Sequence, residues 1–383
     1  MHTCPYCKSN NVEALKVKRE MLIPAPLDKE YRHVNGAFAT IRPVLCKDCN
    51  LCFNAQEYDQ EALDLTCAFG YIKPTDNIGQ DHYNKILDLI FKFVKKDDAV
   101  IEIGSKTGRL LQLMENAGYS NLTGYDPGAE FESSEHITCI KECFTTDLKD
   151  LKRQNCFISQ NSLGFFNDLH DFFGFIHQKL NDGGYFIIEN VRGHVPLAMQ
   201  FWFLHMACYE SIARDNGFNI VFAKDSEELD GYLHVVLQKR AQGQSYVPYF
   251  DDAKLKAMTL NFVQDINRDY LDAEHTDALN TILKTHDEII LWGTGSSAFR
   301  ILDCADSSLL KNAKFFVVDS DASRKGKYFV SPANVAYEVH HISDLTSCNS
   351  KALIIGSSSE YAAEIKNAAL KLKKDLENIF CVL

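Results

Sequence analysis

The chain has 383 residues, which at the usual domain size allows two to three domains with cores of their own. Hydrophobic residues make up 46% and charged residues 24%, a balance that excludes a disordered chain. The net charge of −12 and the shortness of the basic runs (Lys95-Lys96, Lys371 to Lys374) argue against a nucleic-acid partner, and no apolar stretch approaches the ~18 residues of a membrane span. The start, Met1-His2-Thr3-Cys4, carries no charged-then-apolar signal region, so a cytoplasmic location is expected.

Cysteine is the unusual residue: thirteen, in a chain read as cytoplasmic, where disulfides are rare. Cys4-Pro5-Tyr6-Cys7 and Cys46-Lys47-Asp48-Cys49 are two C-x2-C knuckles. Each turn aims two thiolates at one point, so Cys4, Cys7, Cys46 and Cys49 are expected to complete a tetrahedral zinc site. Four protein ligands leave no open position, which predicts structural Zn2+. A hairpin or two fills the spacer, and Cys52 is spare. The scattered cysteines, Cys156 and Cys208 among them, read as small core hydrophobes.

Ala99 to Ile103 reads as a strand, Gly104-Ser105-Lys106-Thr107-Gly108 as a glycine loop, and Arg109 to Met114 as a helix. A second strand, Asn121 to Tyr125, ends in Asp126-Pro127. An acid there, about 20 residues after the loop, is placed for ribose hydroxyls. The pattern beginning at Glu102, E-x-G-x-x-x-G, lacks the diphosphate fingerprint and suits an adenosine without phosphates, such as S-adenosylmethionine. Cys156 to Ser159 is the next strand, with Gln160-Asn161 at the ligand edge. Asp168 to Leu180 reads as a helix stopped by Asn181-Asp182-Gly183-Gly184, and Tyr185 to Glu189 as a strand. Phe201 to Asn216 reads as helix, and Phe218 to Phe222 with Tyr232 to Leu237 as a closing antiparallel pair. That is the order of a class I methyltransferase core.

Taken together, the knuckles, Glu102-Ile103-Gly104-Ser105-Lys106-Thr107-Gly108, Asn161, Asp168-Leu169 and Glu189 resemble the three-part sugar C-methyltransferases. The resemblance implies a small zinc domain, a class I methyltransferase domain and a second Rossmann-like domain, all α/β apart from the first. Expected boundaries are 1–75, 76–240 and 241–383. It implies S-adenosylmethionine held by Glu102, Gly104, Ser105, Lys106, Gly108, Asp126, Pro127 and Asn161. It further implies methylation of C3 of a nucleotide-linked 4-keto-deoxysugar, with Glu189 on the substrate side.

The family loop usually reads EIGSNDG, where this chain has EIGSKTG. The family's Tyr-His-Glu-His stretch is missing, as is the histidine after the Asn161 position. Carbon methylation needs a base and an enolate-stabilising donor. His205, with Tyr209 one turn on, and then His194 are the expected candidates. O- or N-methylation of a sugar in surface-glycan synthesis, or a fold that has lost catalysis, are the alternatives.

Ala241 to Pro248 reads as a linker and Asp251 to Thr285 as one long or broken helix. Then Asp287 to Trp292 leads into Gly293-Thr294-Gly295-Ser296-Ser297-Ala298, and Phe315 to Val318 ends in Asp319. Read literally, this is a dinucleotide fingerprint for NAD. The resemblance instead implies a nucleotide-sugar-binding unit using Gly293, Gly295, Ser296 and Asp319, and Asp319 to Lys327 is similar to the family's VDxNPxKxGxY stretch. Ala352 to Ile355 reads as a buried strand before Gly356.

Overall fold

The computed structural model describes residues 2–23, 25–31, 38–56, 80–193, 199–225, 232–357 and 359–381. His194, Cys67 and the boundary expected near residue 75 lie outside them. Among the described residues the strands form four sheets.

The first segment makes two of these. β1 (Val12–Ala14), β4 (Pro43–Cys46) and β5 (Cys52–Asn54) form an antiparallel three-stranded sheet, and β2 (Lys18–Met21) pairs with β3 (Phe38–Ile41) as a separate ribbon. In the spacer between the knuckles β2 and β3 form one antiparallel pair, while β1 pairs with β4 instead of with its neighbour β2.

The central unit is a seven-stranded sheet. α1 (Gln80–Phe93) precedes β6 (Val100–Ile103), and α2 (Arg109–Asn116) precedes β7 (Leu122–Tyr125) and β8 (Ile137–Ile140). β9 (Gln154–Gln160), α3 (Leu169–Lys179), β10 (Leu180–Val191), α4 (Cys208–Asp215), β11 (Phe218–Asp225) and β12 (Tyr232–Lys239) follow. Strand order is β11-β12-β10-β9-β6-β7-β8, with β12 antiparallel to both its neighbours. Side-chain alternation splits the sheet between two cores. Ile101, Phe157, Phe186, Ile188 and Val235 face the core that holds α3 and α4. Val100, Cys156, Ile158, Ile187 and Val236 face α1 and α2, whose buried residues recur at helical spacing (Ile86, Leu89, Ile90; Leu110, Leu111, Met114).

Three expected boundaries shift: β10 begins at Leu180 and takes in Asn181 to Gly184, expected as the helix stop before a strand at Tyr185. Asp168 is not in α3 but caps it, accepting the Asp171 N–H at 2.9 Å. The helix expected over 201–216 forms only at Cys208–Asp215, because Asn54 and Cys52 of the first segment capture the backbone of Phe201 and Phe203. His205 therefore stands before the helix, not one turn from Tyr209 on it.

The third segment begins with α5 (Asp252–Asn267) and α6 (Ala273–Thr285), each capped by an aspartate, Asp251 and Asp272. Its six-stranded sheet has the order β15-β16-β14-β13-β17-β18 and is parallel apart from the β15 edge. β13 (Ile289–Trp292) leads to α7 (Ser296–Asp303) and the short α8 (Ser307–Asn312), then to β14 (Phe315–Asp319). β15 (Tyr328–Val330), β16 (Ala336–His341), β17 (Ala352–Ile355), α9 (Ser359–Leu372) and β18 (Asn378–Phe380) complete it. The linker over 241–250 is pinned to α4, because buried Glu210 accepts from the Tyr246 hydroxyl and the Tyr249 and Phe250 N–H groups. No helix among the described residues is long and apolar enough to cross a membrane.

Candidate active site

In an open parallel sheet the ligand crevice lies beyond the carboxyl ends of the strands, where the order reverses. In the central unit that place is between β6 and β9. The loop after β6 turns at Gly104 (φ 79°), where a Cβ would stand 2.0 Å from Ser162 Oγ. Ser162 Oγ in turn donates to the Ile103 carbonyl at 3.0 Å, so the loops after the two strands interlock. Gly108 (φ 66°) opens α2, and a Cβ there would lie 2.5 Å from Phe131.

Asp126, at the end of β7, is tied to this loop. Its carboxylate accepts the Lys106 N–H at 3.1 Å and the Gly128 N–H at 2.7 Å. Burial lifts its carboxyl, against the pull of those two N–H groups. Each oxygen keeps a lone pair for a ribose hydroxyl. Lys106 is 7% exposed, with Nζ 3.6 Å from Glu130. Glu102 is buried, and its Oε2 has no hydrogen-bond partner among the described residues. Burial first, then Asp126 and Glu189, push its carboxyl well above the usual range. Ser105 Oγ is likewise buried without a partner. Orphaned polar atoms beside a glycine cradle are what a polar, phosphate-free adenosine ligand would satisfy, so the residues present fit S-adenosylmethionine. Pro127 is exposed beside Asp126.

On the other side of the crevice the polar groups bind one another. Asn161 (φ 56°) donates its N–H to the Glu189 carbonyl at 2.8 Å, and its Oδ1 accepts the Val191 N–H at 2.6 Å. Its carboxamide oxygen thus joins β9 to β10 rather than standing free for a cofactor. Glu189 is fully buried and shared: Gln160 Nε2 donates to Oε1 at 2.9 Å, and His234 Nε2 lies 2.7 Å from Oε2. The expected direct contact of Glu189 with substrate is not available to a carboxylate so enclosed. A small pocket lined by Asn161, Gly164, Asn190, Val191, Gln200 and Trp202 opens beside this row.

The expected bases are occupied elsewhere. His205 stacks on Phe262 at 4.0 Å and 6°, with Nε2 2.6 Å from the Asn50 carbonyl oxygen. Burial lowers its pKa to about 4. It is a junction residue between the first segment and α5, not a base facing the crevice. Tyr209 is fully buried and accepts from Asn190 Nδ2 at 3.0 Å, so it braces a pocket residue from behind. His234 was not singled out from sequence, since one histidine inside Tyr232 to Leu237 looks like any half-buried strand residue. Its signal lay in the register, which sets it opposite Glu189.

In the third segment Gly293 (φ 109°) approaches Gly356, and a Cβ there would lie 2.5 Å from the Gly356 oxygen. These loops flank the β13–β17 switch point. Gly295 precedes α7, and Ser296 Oγ is buried without a partner among the described residues. Asp319 departs from expectation. Its Oδ2 takes the Thr294 hydroxyl at 2.7 Å and Arg324 Nη1 at 3.0 Å, and its Oδ1 takes the Asp321 N–H at 3.0 Å. An 8% exposed carboxylate so committed braces the loop and is badly placed to read a ribose, which weighs against the literal NAD reading.

The four knuckle thiols gather as expected. The Sγ atoms of Cys4, Cys7, Cys46 and Cys49 all lie within 4.8 Å of one another, with Cys4–Cys49 at 3.7 Å and Cys7–Cys46 at 3.5 Å. A tetrahedron with Zn–S near 2.3 Å has edges of about 3.8 Å, whereas a disulfide needs about 2.05 Å. The donor set therefore fits one metal ion.

No curated protein sequence matches the chain. Similar solved structures include an S-adenosylmethionine-dependent methyltransferase from Mesorhizobium loti, at 15% identity and a TM-score of 0.34, covering 39% of this chain and 96% of that one. The magnesium protoporphyrin IX methyltransferase of Synechocystis PCC 6803 is similar at 13% identity and a TM-score of 0.34, covering 49% and 87%. An N-methyltransferase from Bradyrhizobium japonicum WM9 is similar at 11% and 0.33, covering 42% and 96%. Residues 78–222 match the family model described as a methyltransferase domain. That match spans the strand order and the glycine loop of the central unit, which has the fold of a class I methyltransferase core.

Proposed function

We propose that the chain transfers a methyl group from S-adenosylmethionine to a nucleotide-linked deoxysugar or a related small polar acceptor, within a three-part chain of zinc unit, methyltransferase unit and substrate-holding Rossmann-like unit. The observation that carries the reading is the crevice itself. Orphaned Glu102 and Ser105 atoms and the Asp126 carboxylate stand on one side, and the amide-lined pocket by Asn161 and Asn190 on the other. The donor supplies an already electrophilic methyl carbon. The protein's work is to align an acceptor and exclude water. Asp126 and the orphaned Ser105 hydroxyl serve the adenosine side, and Asn190, whose Nδ2 donates to Tyr209, lines the small pocket across from them.

The nucleotide-sugar assignment rests on the resemblance and on the second glycine cradle, Gly293 against Gly356. Carbon methylation next to a ketone is the family's reaction. The absence of the Tyr-His-Glu-His stretch favours O- or N-methylation as the second reading, since neither needs an enolate donor. Zn2+ in the four-cysteine site has a structural role in this reading.

Calorimetry with S-adenosylhomocysteine on the metal-loaded full chain tests the donor step, with saturable one-site binding expected and no binding overturning it. Incubation with methyl-labelled donor and a panel of nucleotide-linked keto- and hydroxysugars tests the acceptor. Label found only on non-sugar amines would replace the sugar assignment.

A further inference from the structure

We propose that His234, oriented by Glu189, is the general base that takes the acceptor's proton. The inference rests on the methyl-transfer reading above. In the sheet register Glu189 lies opposite Gln160 on one side and His234 on the other, so the three side chains form one row. The row lies on the face that carries Glu102, because Glu102, Ile158, Ile187 and Val236 share that side. The pocket's Asn161 follows Gln160 in the chain, and its Val191 is the next residue of β10 on the Glu189 face, one step beyond the row towards the strand end.

The chemistry follows from what faces each nitrogen. A carboxylate oxygen 2.7 Å from Nε2 makes that nitrogen the donor, which leaves the lone pair on Nδ1. Nδ1 has no hydrogen-bond partner among the described residues, and the ring retains 9% exposure where Glu189 has none. Gln160 holds the other carboxylate oxygen, so Glu189 cannot swing away without breaking a second, half-buried hydrogen bond. The remaining charge in register with His234 is the exposed Lys224, opposite it on β11. The arrangement has the logic of a base held in one tautomer by a buried acid.

In the step, the acceptor's proton passes to Nδ1. The electron pair left behind forms the bond to the methyl carbon, and the methyl–sulfur pair stays on sulfur, giving S-adenosylhomocysteine. Glu189 stabilises the imidazolium until its proton goes to solvent. His234 thus supplies what the missing Tyr-His-Glu-His stretch would have supplied and what His205, fixed at another interface, does not.

The test uses 15N-histidine-labelled full chain, with the His234 signals assigned by their loss in His234→Gln or, should that variant not fold, His234→Asn. The expected result is an Nε2–H tautomer whose Nδ1 resonance moves when S-adenosylhomocysteine is added, with the affinity of His234→Gln within about threefold of wild type. Glu189→Gln is expected to abolish the tautomer preference. With any sugar acceptor that the wild type methylates, His234→Gln should lower kcat by about 100-fold or more with the donor KM unchanged. An Nδ1–H tautomer, an Nδ1 signal indifferent to bound S-adenosylhomocysteine, or an unchanged kcat overturns the base and leaves the methyltransferase reading standing. Failure of the wild type to bind S-adenosylhomocysteine overturns both.

Discussion

His205 and His234 show how much a residue's role depends on what its second nitrogen meets. In the sequence His205 stands out as a histidine among aromatics near Tyr209, whereas His234 is one more residue of a strand. Both rings are buried, but one faces a carbonyl and a phenyl ring, the other a carboxylate. His205 Nε2 must donate to Asn50, and Nδ1 is buried without a partner among the described residues, so a proton there would be an uncompensated charge. Its folded pKa of about 4 lies below the unfolded value near 6.5. Between those values the native state binds fewer protons than the unfolded chain, so stability rises with pH there and is lost as pH falls from about 6.5 towards 4. At pH 5 the loss from this one ring is about 2 kcal/mol. His205→Gln keeps a donor towards Asn50 and removes the titration. Urea midpoints at pH 7 and pH 5 should therefore differ less in this variant than in the wild type, and equal differences would refute the assignment.

Elements built from one local pattern were legible in the sequence, and elements set by distant partners were not. β6, the Gly104 loop and α2 could be read directly because strand bias, glycine and helical spacing follow one another within 18 residues, from Ala99 to Asn116. β8, β15, β16 and β18 are not legible in the sequence, since short edge or near-edge strands carry no periodicity. The segment 201–207 has a helical pattern, but the first segment captures its backbone through Phe201 and Phe203. The Gly104 loop gives a sharp prediction at this scale. Gly104→Ala meets two penalties: a left-handed φ of 79° and a Cβ placed 2.0 Å from Ser162 Oγ. The first costs about 1–2 kcal/mol, and the second forces the two loops apart. S-adenosylhomocysteine binding should weaken by at least tenfold. Ser162→Gly in the same chain should recover the steric part and not the backbone part, so calorimetry on the double variant is expected to fall between Gly104→Ala and wild type. Full recovery would mean that backbone strain is negligible here; none would mean that the Ser162 contact is.

At the scale of the whole molecule the first segment reaches both of the others. Its knuckle sheet packs on the central unit: the Tyr6 hydroxyl accepts from Asn216 at 2.9 Å, and Phe53 meets Trp202 edge-on at 6.4 Å. Its β2–β3 ribbon packs on the third segment instead. Glu20 pairs with Arg300 at 2.6 Å, Arg19 with Asp303 at 3.1 Å, and Leu27 bridges Tyr328, while Met21 lies in the core with Leu291 and Phe299. Arg42 alone separates β3 from β4, which ends in Cys46, so the metal site and the ribbon are joined by a few residues of strand. A metal ion held by the four cysteines would give so small a segment much of its fold. Stripping the metal with a chelator should therefore loosen two distant helices together, and hydrogen exchange should rise in Cys208–Asp215 and also in Ser296–Asp303. Glu20→Gln, which disrupts a nearly buried ion pair, should cost about 3–5 kcal/mol and raise exchange in Ser296–Asp303 without touching Cys208–Asp215. The contrast between the two treatments decides whether the metal acts on the whole chain through the ribbon. Exchange in Ser296–Asp303 that ignores the chelator would confine the metal's influence to the methyltransferase side.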